Sequence, residues 1–260
     1  MTELSRIANP APGFQAHPNY QIEILPCAKR LRAMFGGQTV FDTLDAVILR
    51  ETEHLPVYYV PRADADMALL TGSDHTTHCP FKGDASYYSL AHGDRVAENA
   101  VWTYETPFDE CRSIKGYLAF YWDQLDHWYE EDDEVHVHAR DPKARIDIVA
   151  SSRPVRVEAA GETIAETTRA RFLFETGLPV RYYMPLEDVR QDLLIASDTK
   201  TRCPYKGTAS YHHVKIGQTV INDAVWHYPD PLDEVGRITG YLCFYPEKVG
   251  RLTVDGKDVP

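Results

Sequence analysis

The chain has 260 residues, 43% of them hydrophobic, and a formal net charge of −12. This is a globular composition, and its acidic balance argues against a nucleic-acid or membrane-surface partner, since phosphate binding needs a basic face. No apolar stretch reaches membrane-spanning length, and no basic segment followed by an apolar run opens the chain. The charge is uneven: residues 1–140 carry 11 Lys and Arg against 22 Asp and Glu, whereas residues 141–260 carry 16 against 17. Cys27, Cys79, Cys111, Cys203 and Cys243 form an odd set with no Cys-x-x-Cys pair, so reduced thiols and a cytoplasmic location are expected.

Taken in order, the chain proves to contain one stretch twice. Residues 74–121 and 198–245 align at an offset of 124 with no gap and share 24 of 48 positions, which marks an internal duplication. The match begins upstream, where Pro18 answers Pro142 and Ile22-Glu23-Ile24 answers Ile146-Asp147-Ile148. Two domains are expected, each large enough for its own core. Residues 1–17 form an irregular, proline-containing arm. Residues 18–134 form the first repeat, ending in a helix and an acidic run. Residues 135–260 form a linker strand and the second repeat.

Leu31, Ala33 and Phe35 alternate, then Gly36-Gly37 and Thr39-Val40-Phe41 complete a predicted hairpin. Val155, Val157, Ala160-Gly161 and Thr163-Ile164 repeat it. Strands are predicted at 46–49 and 170–174, before Tyr58-Tyr59 and Tyr182-Tyr183. Pro61 and Pro185 suit the first turn of short helices reaching Leu69 and Leu193. Residues 85–90, 95–97, 101–104 and 114–121 read as strands, so each repeat is mainly β. Residues 123–129 show helical spacing of Leu125, Trp128 and Tyr129, with Asp123 at the favourable end; this helix is expected in the first copy alone. The acidic run 130–134 reads as a solvated connector. His136 and His138 share one side of a predicted strand, as a metal pair would, but no third ligand is near and they read as polar strand residues.

Several shared positions are not explained by packing alone: Cys79/Cys203, Lys82/Lys206, Ser86/Ser210, Tyr87/Tyr211, Trp102/Trp226, Tyr104/Tyr228, Asp109/Asp233 and Glu110/Glu234. In the Cys-Pro-x-Lys-Gly turns a lysine beside a thiol favours the thiolate, which makes Cys79 and Cys203 candidate nucleophiles. The competing reading is a small buried hydrophobe, with Lys82 paired to Glu110 or capping a loop. Trp102 with Tyr104, and Trp226 with Tyr228, lie on one strand face each, where they either wall an apolar pocket or fill the core.

The two copies differ at the strand entering the turn. Thr76-Thr77-His78 in the first becomes Lys200-Thr201-Arg202 in the second, and Asp84 becomes Thr208. Lys200 and Arg202 share one strand side, with Lys206 expected to join them, which points to an anion at the second domain. A solvated strand edge is the competing reading.

The candidate ligand-binding set is therefore His78, Cys79, Lys82, Tyr87, Trp102, Tyr104 and Glu110 in the first repeat. In the second it is Lys200, Arg202, Cys203, Lys206, Tyr211, Trp226, Tyr228 and Glu234. The expected function is binding of a small molecule or peptide end, with one aromatic-lined pocket per repeat and no metal or cofactor. A thiol-dependent enzyme using Cys79 or Cys203, and a structural or protein-interaction module, are the alternatives.

The segments CPFKGDASYY, NDAVWHYPDP and IKGYLAFYWD resemble the domain-of-unknown-function family 427. VHVHARDPKARIDIVASSRPVRV resembles the linker of its two-copy members, so the resemblance covers nearly the whole chain from about residue 20. It implies two tandem homologous domains similar to the β-tent, or Mss4-like, fold, mainly β with short helices. Relatives by that fold include B-type methionine sulfoxide reductases, the analogy behind the thiol-enzyme alternative. Many also hold structural zinc through Cys-Pro-x-Cys-Gly turns. Here Lys82 and Lys206 stand where the second cysteine would, and one thiol per turn leaves tetrahedral zinc short of ligands, so the turns read as metal-free. A nucleotidyltransferase activity is sometimes attached to the family. It finds no support in a chain without a Gly-Ser loop followed by paired carboxylates.

Overall fold

Short strands with alternating burial make up most of the computed structural model, which describes residues 8–259. The chain divides into two units after Asp141. The first opens on a four-residue helix, α1 (Gly13–Ala16). It continues as β1 (Ile22–Pro26), β2 (Leu31–Phe35), β3 (Gln38–Thr43), β4 (Val47–Glu51), β5 (Val57–Pro61), β6 (Leu70–Cys79) and β7 (Gly83–His92). Then come β8 (Arg95–Thr103), β9 (Tyr117–Phe120), β10 (His127–Glu130) and β11 (Asp133–Glu134). Seven strands form one antiparallel sheet in the order β1-β4-β5-β9-β8-β7-β6, and four form another in the order β11-β10-β2-β3.

The second unit repeats this strand for strand. It contains β12 (Ile146–Ala150), β13 (Val155–Ala159), β14 (Glu162–Thr167), β15 (Arg171–Glu175), β16 (Arg181–Pro185), β17 (Leu194–Cys203) and β18 (Gly207–Ile216). β19 (Thr219–His227), β20 (Tyr241–Phe244), β21 (Arg251–Val254) and β22 (Lys257–Asp258) complete it. Its sheets run β12-β15-β16-β20-β19-β18-β17 and β14-β13-β21-β22. The chain is thus mainly β, in two tandem units of one topology.

The central strands of each large sheet are buried on both faces. Successive side chains of a strand point to opposite faces, so Ile48, Tyr58 and Leu118 join the core shared with the small sheet, while Leu49, Tyr59 and Ala119 join a second, aromatic cluster on the other face. In the second unit Phe172, Met184 and Leu242 take the first role, and Leu173, Tyr183 and Cys243 the second. Two-sided burial explains why these central strands read as continuous apolar and aromatic runs.

Several expectations are corrected. Residues 123–129 are not a helix. Trp122–Gln124 is a single 3-10 turn, and β10 then pairs with β2 through Trp128 opposite Ala33. Trp122 stacks on Trp128 with ring centroids 4.3 Å apart. The second copy has the same strand in β21, so nothing is added in the first. Glu131 to Glu134 of the acidic run are exposed, as a solvated segment would be, but Glu130 is 5% exposed and accepts a hydrogen bond from Tyr58 at 2.6 Å and another from Lys29.

Residues 135–138 form no strand, and Val135 and Ala139 are buried with the first unit, whose boundary therefore falls later than 134. His136 and His138 are accordingly not strand neighbours. The expected helix from Pro61 is two 3-10 turns, Arg62–Asp64 and Met67–Leu69, broken by extended Ala65. Residues 95–97 and 101–103 belong to one strand, which ends before Tyr104 and has a register shift where Asn99 adopts φ +52°. The 114–121 strand shortens to β9, because Asp109–Ile114 is a 3-10 helix. Part of the arm, residues 1–7, lies outside the described residues. The rest is held by contacts: Gly13 N–H donates to the Pro80 carbonyl, and the Phe14 and Phe81 rings lie 5.1 Å apart.

Candidate functional site

The aromatic face of the large sheet forms a cleft of about 250 Å³ in the second unit. Its walls are strand side chains at fixed register. Tyr211 on β18 lies opposite Trp226 on β19, and Tyr228 follows two residues on, so it shares the face of Trp226. Tyr183 on β16 and Tyr245, just past β20, close the sides. The Trp226 indole N–H donates to the Tyr183 hydroxyl at 3.2 Å, and the Trp226 and Tyr245 rings lie 4.2 Å apart. Tyr211 and Thr201 share a hydroxyl hydrogen bond of 2.7 Å. These bonds hold the polar tips that buried Tyr and Trp require and fix the rings in place.

Two charged features enter this apolar setting. Lys206, from the Cys-Pro-x-Lys-Gly turn, is ion-paired with Glu175 at the end of β15, and each side chain is 10% exposed. Arg181 on β16 lies with its guanidinium 5.5 Å over the Trp226 ring and 5.8 Å over the Tyr245 ring. Among the described residues no carboxylate lies within ion-pair distance of Arg181. Burial pushes the hydroxyls of Tyr183, Tyr228 and Tyr245 well above the ordinary tyrosine value, so all three are neutral at physiological pH.

The first unit builds the same framework. Lys82 pairs with Glu51, the Trp102 indole N–H donates to Tyr59 at 3.3 Å, Thr77 bonds Tyr87 at 2.9 Å, and Tyr121 lies 4.7 Å from Trp102. Two things differ. Val57 stands where the second unit has Arg181, and Tyr20 from the segment before β1 donates to Glu51 at 2.9 Å. Ala144 holds the position equivalent to Tyr20 in the second unit.

The family described as a domain of unknown function, DUF427, matches the chain twice, over residues 23–131 and 147–255. The chain belongs to this family. Among curated proteins none matches it.

Within the two DUF427 repeats, the residues singled out from sequence separate into two groups. Lys206, Tyr211, Trp226 and Tyr228 converge on the second cleft, and Lys82, Tyr87, Trp102 and Tyr104 occupy the matching places in the first repeat. Cys79 and Cys203 are half-buried against the aromatic clusters, at the ends of β6 and β17.

The others lie elsewhere. His78 is exposed and bonded to Asp84 at 2.6 Å. Glu110 accepts from the Ala11 backbone N–H at 2.9 Å and so ties down the arm, not Lys82. Glu234 is exposed on the 3-10 helix Asp233–Ile238. Lys200 lies opposite Ser210 and donates to it at 2.6 Å, and Arg202 shares that sheet side. Thr201, between them, faces the cleft; strand alternation therefore turns Lys200 and Arg202 away from Lys206, and the expected cation trio does not form.

Glu51/Glu175, Tyr59/Tyr183 and Tyr121/Tyr245 were missed, although each pair is identical at the offset of 124 and an identity scan weighted toward polar residues finds them. Arg181 left no such signal, because its counterpart is Val57.

Proposed function

We propose that each DUF427 repeat is a small-molecule binding domain whose site is the aromatic face of its large sheet. The observation that carries this reading is the second-repeat cleft, where rigidly bonded tyrosines and a tryptophan surround a few aimed polar groups, as binding pockets do. The thiol-enzyme reading is weaker for a specific reason. The lysine that would stabilise a thiolate is committed in each turn to a carboxylate, Lys82 to Glu51 and Lys206 to Glu175. The same proposal takes the five free thiols as fitting a reducing cytoplasm. It also takes the Cys-Pro-x-Lys-Gly turns as metal-free counterparts of the zinc turns of β-tent folds.

The test is a screen of small aromatic and aliphatic compounds by tryptophan fluorescence on the full chain. Saturable binding that is lost in Tyr245→Ala supports the reading. A screen with no saturable binder, or binding insensitive to Tyr245→Ala and Tyr121→Ala alike, overturns it.

A further inference from the structure

Arg181 is a charged group of the second cleft that the first lacks, with Val57 at the matching position. Its guanidinium lies over the aromatic wall formed by Trp226 and Tyr245 and is half-buried, and no carboxylate pairs with it among the described residues. Stacking on aromatic faces leaves the edge of a guanidinium, with its fork of N–H donors, free to accept a planar anion. We propose that the second-repeat cleft binds a small carboxylate ligand with a flat apolar body, its carboxylate on Arg181 and its body against Trp226 and Tyr245. This deepens the binding reading given above and rests on it.

Charge selects the carboxylate over a phosphate monoester. Lys206 is already neutralised by Glu175, so the cleft carries one uncompensated positive charge, that of Arg181. A monoanion balances it. A dianion would set its second charge against Glu175 in a partly desolvated site, where like charges repel strongly. Size limits the body: about 250 Å³ lies just below the ~300–1,000 Å³ usual for drug-sized ligands. One ring with a short arm fits that space. Such a carboxylate comes either from a free aromatic acid or from the C-terminal residue of a peptide. The first repeat lacks the anchor, with Val57 in place of Arg181, and its Glu51 is engaged by Tyr20.

The experiment is calorimetric titration of the full chain with phenylacetate, N-acetylphenylalanine, the amides of both, and phenyl phosphate, at two salt concentrations. Charge-assisted hydrogen bonding predicts that the acids bind about tenfold or more tightly than their amides, with the advantage shrinking in salt. Arg181→Val, which installs the residue found at the same strand position of the first repeat, removes that advantage. Arg181→Lys weakens the acids yet keeps them ahead of the amides, and its unaltered melting temperature guards against a folding artefact. Preference for either acid supports the proposal, and the tighter one names its source.

Equal binding of acids and amides, still lost in Tyr245→Ala, overturns the carboxylate inference and leaves the binding reading standing. Tighter binding of phenyl phosphate, or an acid preference that survives Arg181→Val, also overturns it. Failure of every probe overturns the inference, while the broader compound screen decides the binding reading separately.

Discussion

Lys82 donates to both carboxylate oxygens of Glu51, at 2.6 and 2.5 Å, in a pair whose side chains are only 10% and 11% exposed. Lys206 and Glu175 repeat the arrangement in the second unit. Each lysine belongs to the turn joining the two longest strands, and each glutamate ends a strand on the far side of the sheet. The pair therefore ties the Cys-Pro-x-Lys-Gly turn across the aromatic face and forms part of the floor of the cleft.

Removing one member of this pair strands a charge in a dry site. Glu51→Gln is expected to destabilise the first unit by about 3–5 kcal/mol, whereas Lys82→Met combined with Glu51→Leu recovers most of that loss. Urea unfolding of the full chain, fitted with one transition per unit, measures both. A loss below about 1 kcal/mol for Glu51→Gln counts against a buried structural pair.

Alkaline pH should weaken the fold through its buried thiols and phenols. Burial pushes the Cys111 thiol up to about 12 and raises Cys243, Tyr59 and Tyr183 as well. The folded state then holds these protons more firmly than the unfolded chain, whose Cys and Tyr titrate near about 8.5 and 10. The stabilisation is complete below about pH 8.5 and is lost as pH rises toward the folded values. Melting temperature is expected to be level up to that point and to fall above it. Cys111→Ala should flatten the slope between about pH 9 and 10; an unchanged slope there would sink the assignment to Cys111.

Tyr20 is expected to stabilise the first unit alone. Its hydroxyl donates to Glu51 and its ring stacks on Phe81, whereas Ala144 occupies the equivalent position in the second unit. Tyr20→Phe keeps the stacking and loses a hydrogen bond to a charged group, at a cost of about 1.5 kcal/mol. The urea transition of the first unit should shift and that of the second should not. A shift in both would show that Tyr20 does not act through Glu51.

Gly207 begins β18 with φ +95°, and a Cβ there would stand 3.3 Å from the Asp230 carbonyl oxygen. Gly207→Ala should therefore cost about 1–3 kcal/mol from backbone strain and crowding together. Gly217→Asn is the control: at φ +56° and with open space around it, it should cost less than about 1 kcal/mol. Equal costs at the two positions, measured by thermal unfolding, would remove the argument from strain.

Legibility followed the range of the interaction. The hairpin at Gly36-Gly37 and the face shared by Trp226 and Tyr228 are local, and strand alternation suffices to read them. The helical reading of 123–129 failed because Leu125 and Trp128 are spaced like one face of a helix, while Trp128 is placed by a strand pairing that sets it opposite Ala33, far away in the chain. Lys200 and Arg202 were correctly placed on one side of a strand. Which side that was depended on Thr201 meeting Tyr211 across β17 and β18.

By itself the sequence determined the duplication, the mainly β character and the DUF427 kinship, because identity at a fixed offset and period-two alternation are properties of the chain read in one dimension. It also singled out Lys206, Tyr211, Trp226 and Tyr228, which line one cleft in the fold. Only the tertiary structure decided that Lys206 is neutralised by Glu175, that Glu110 serves the arm, that Lys200 and Arg202 face away from the cleft, and that Arg181 stands over its aromatic wall. The physical reason is that charge pairing and sheet sidedness are set by which distant strands become neighbours. Strand order β12-β15-β16-β20-β19-β18-β17 brings residues 31 positions apart, Glu175 and Lys206, into one buried contact.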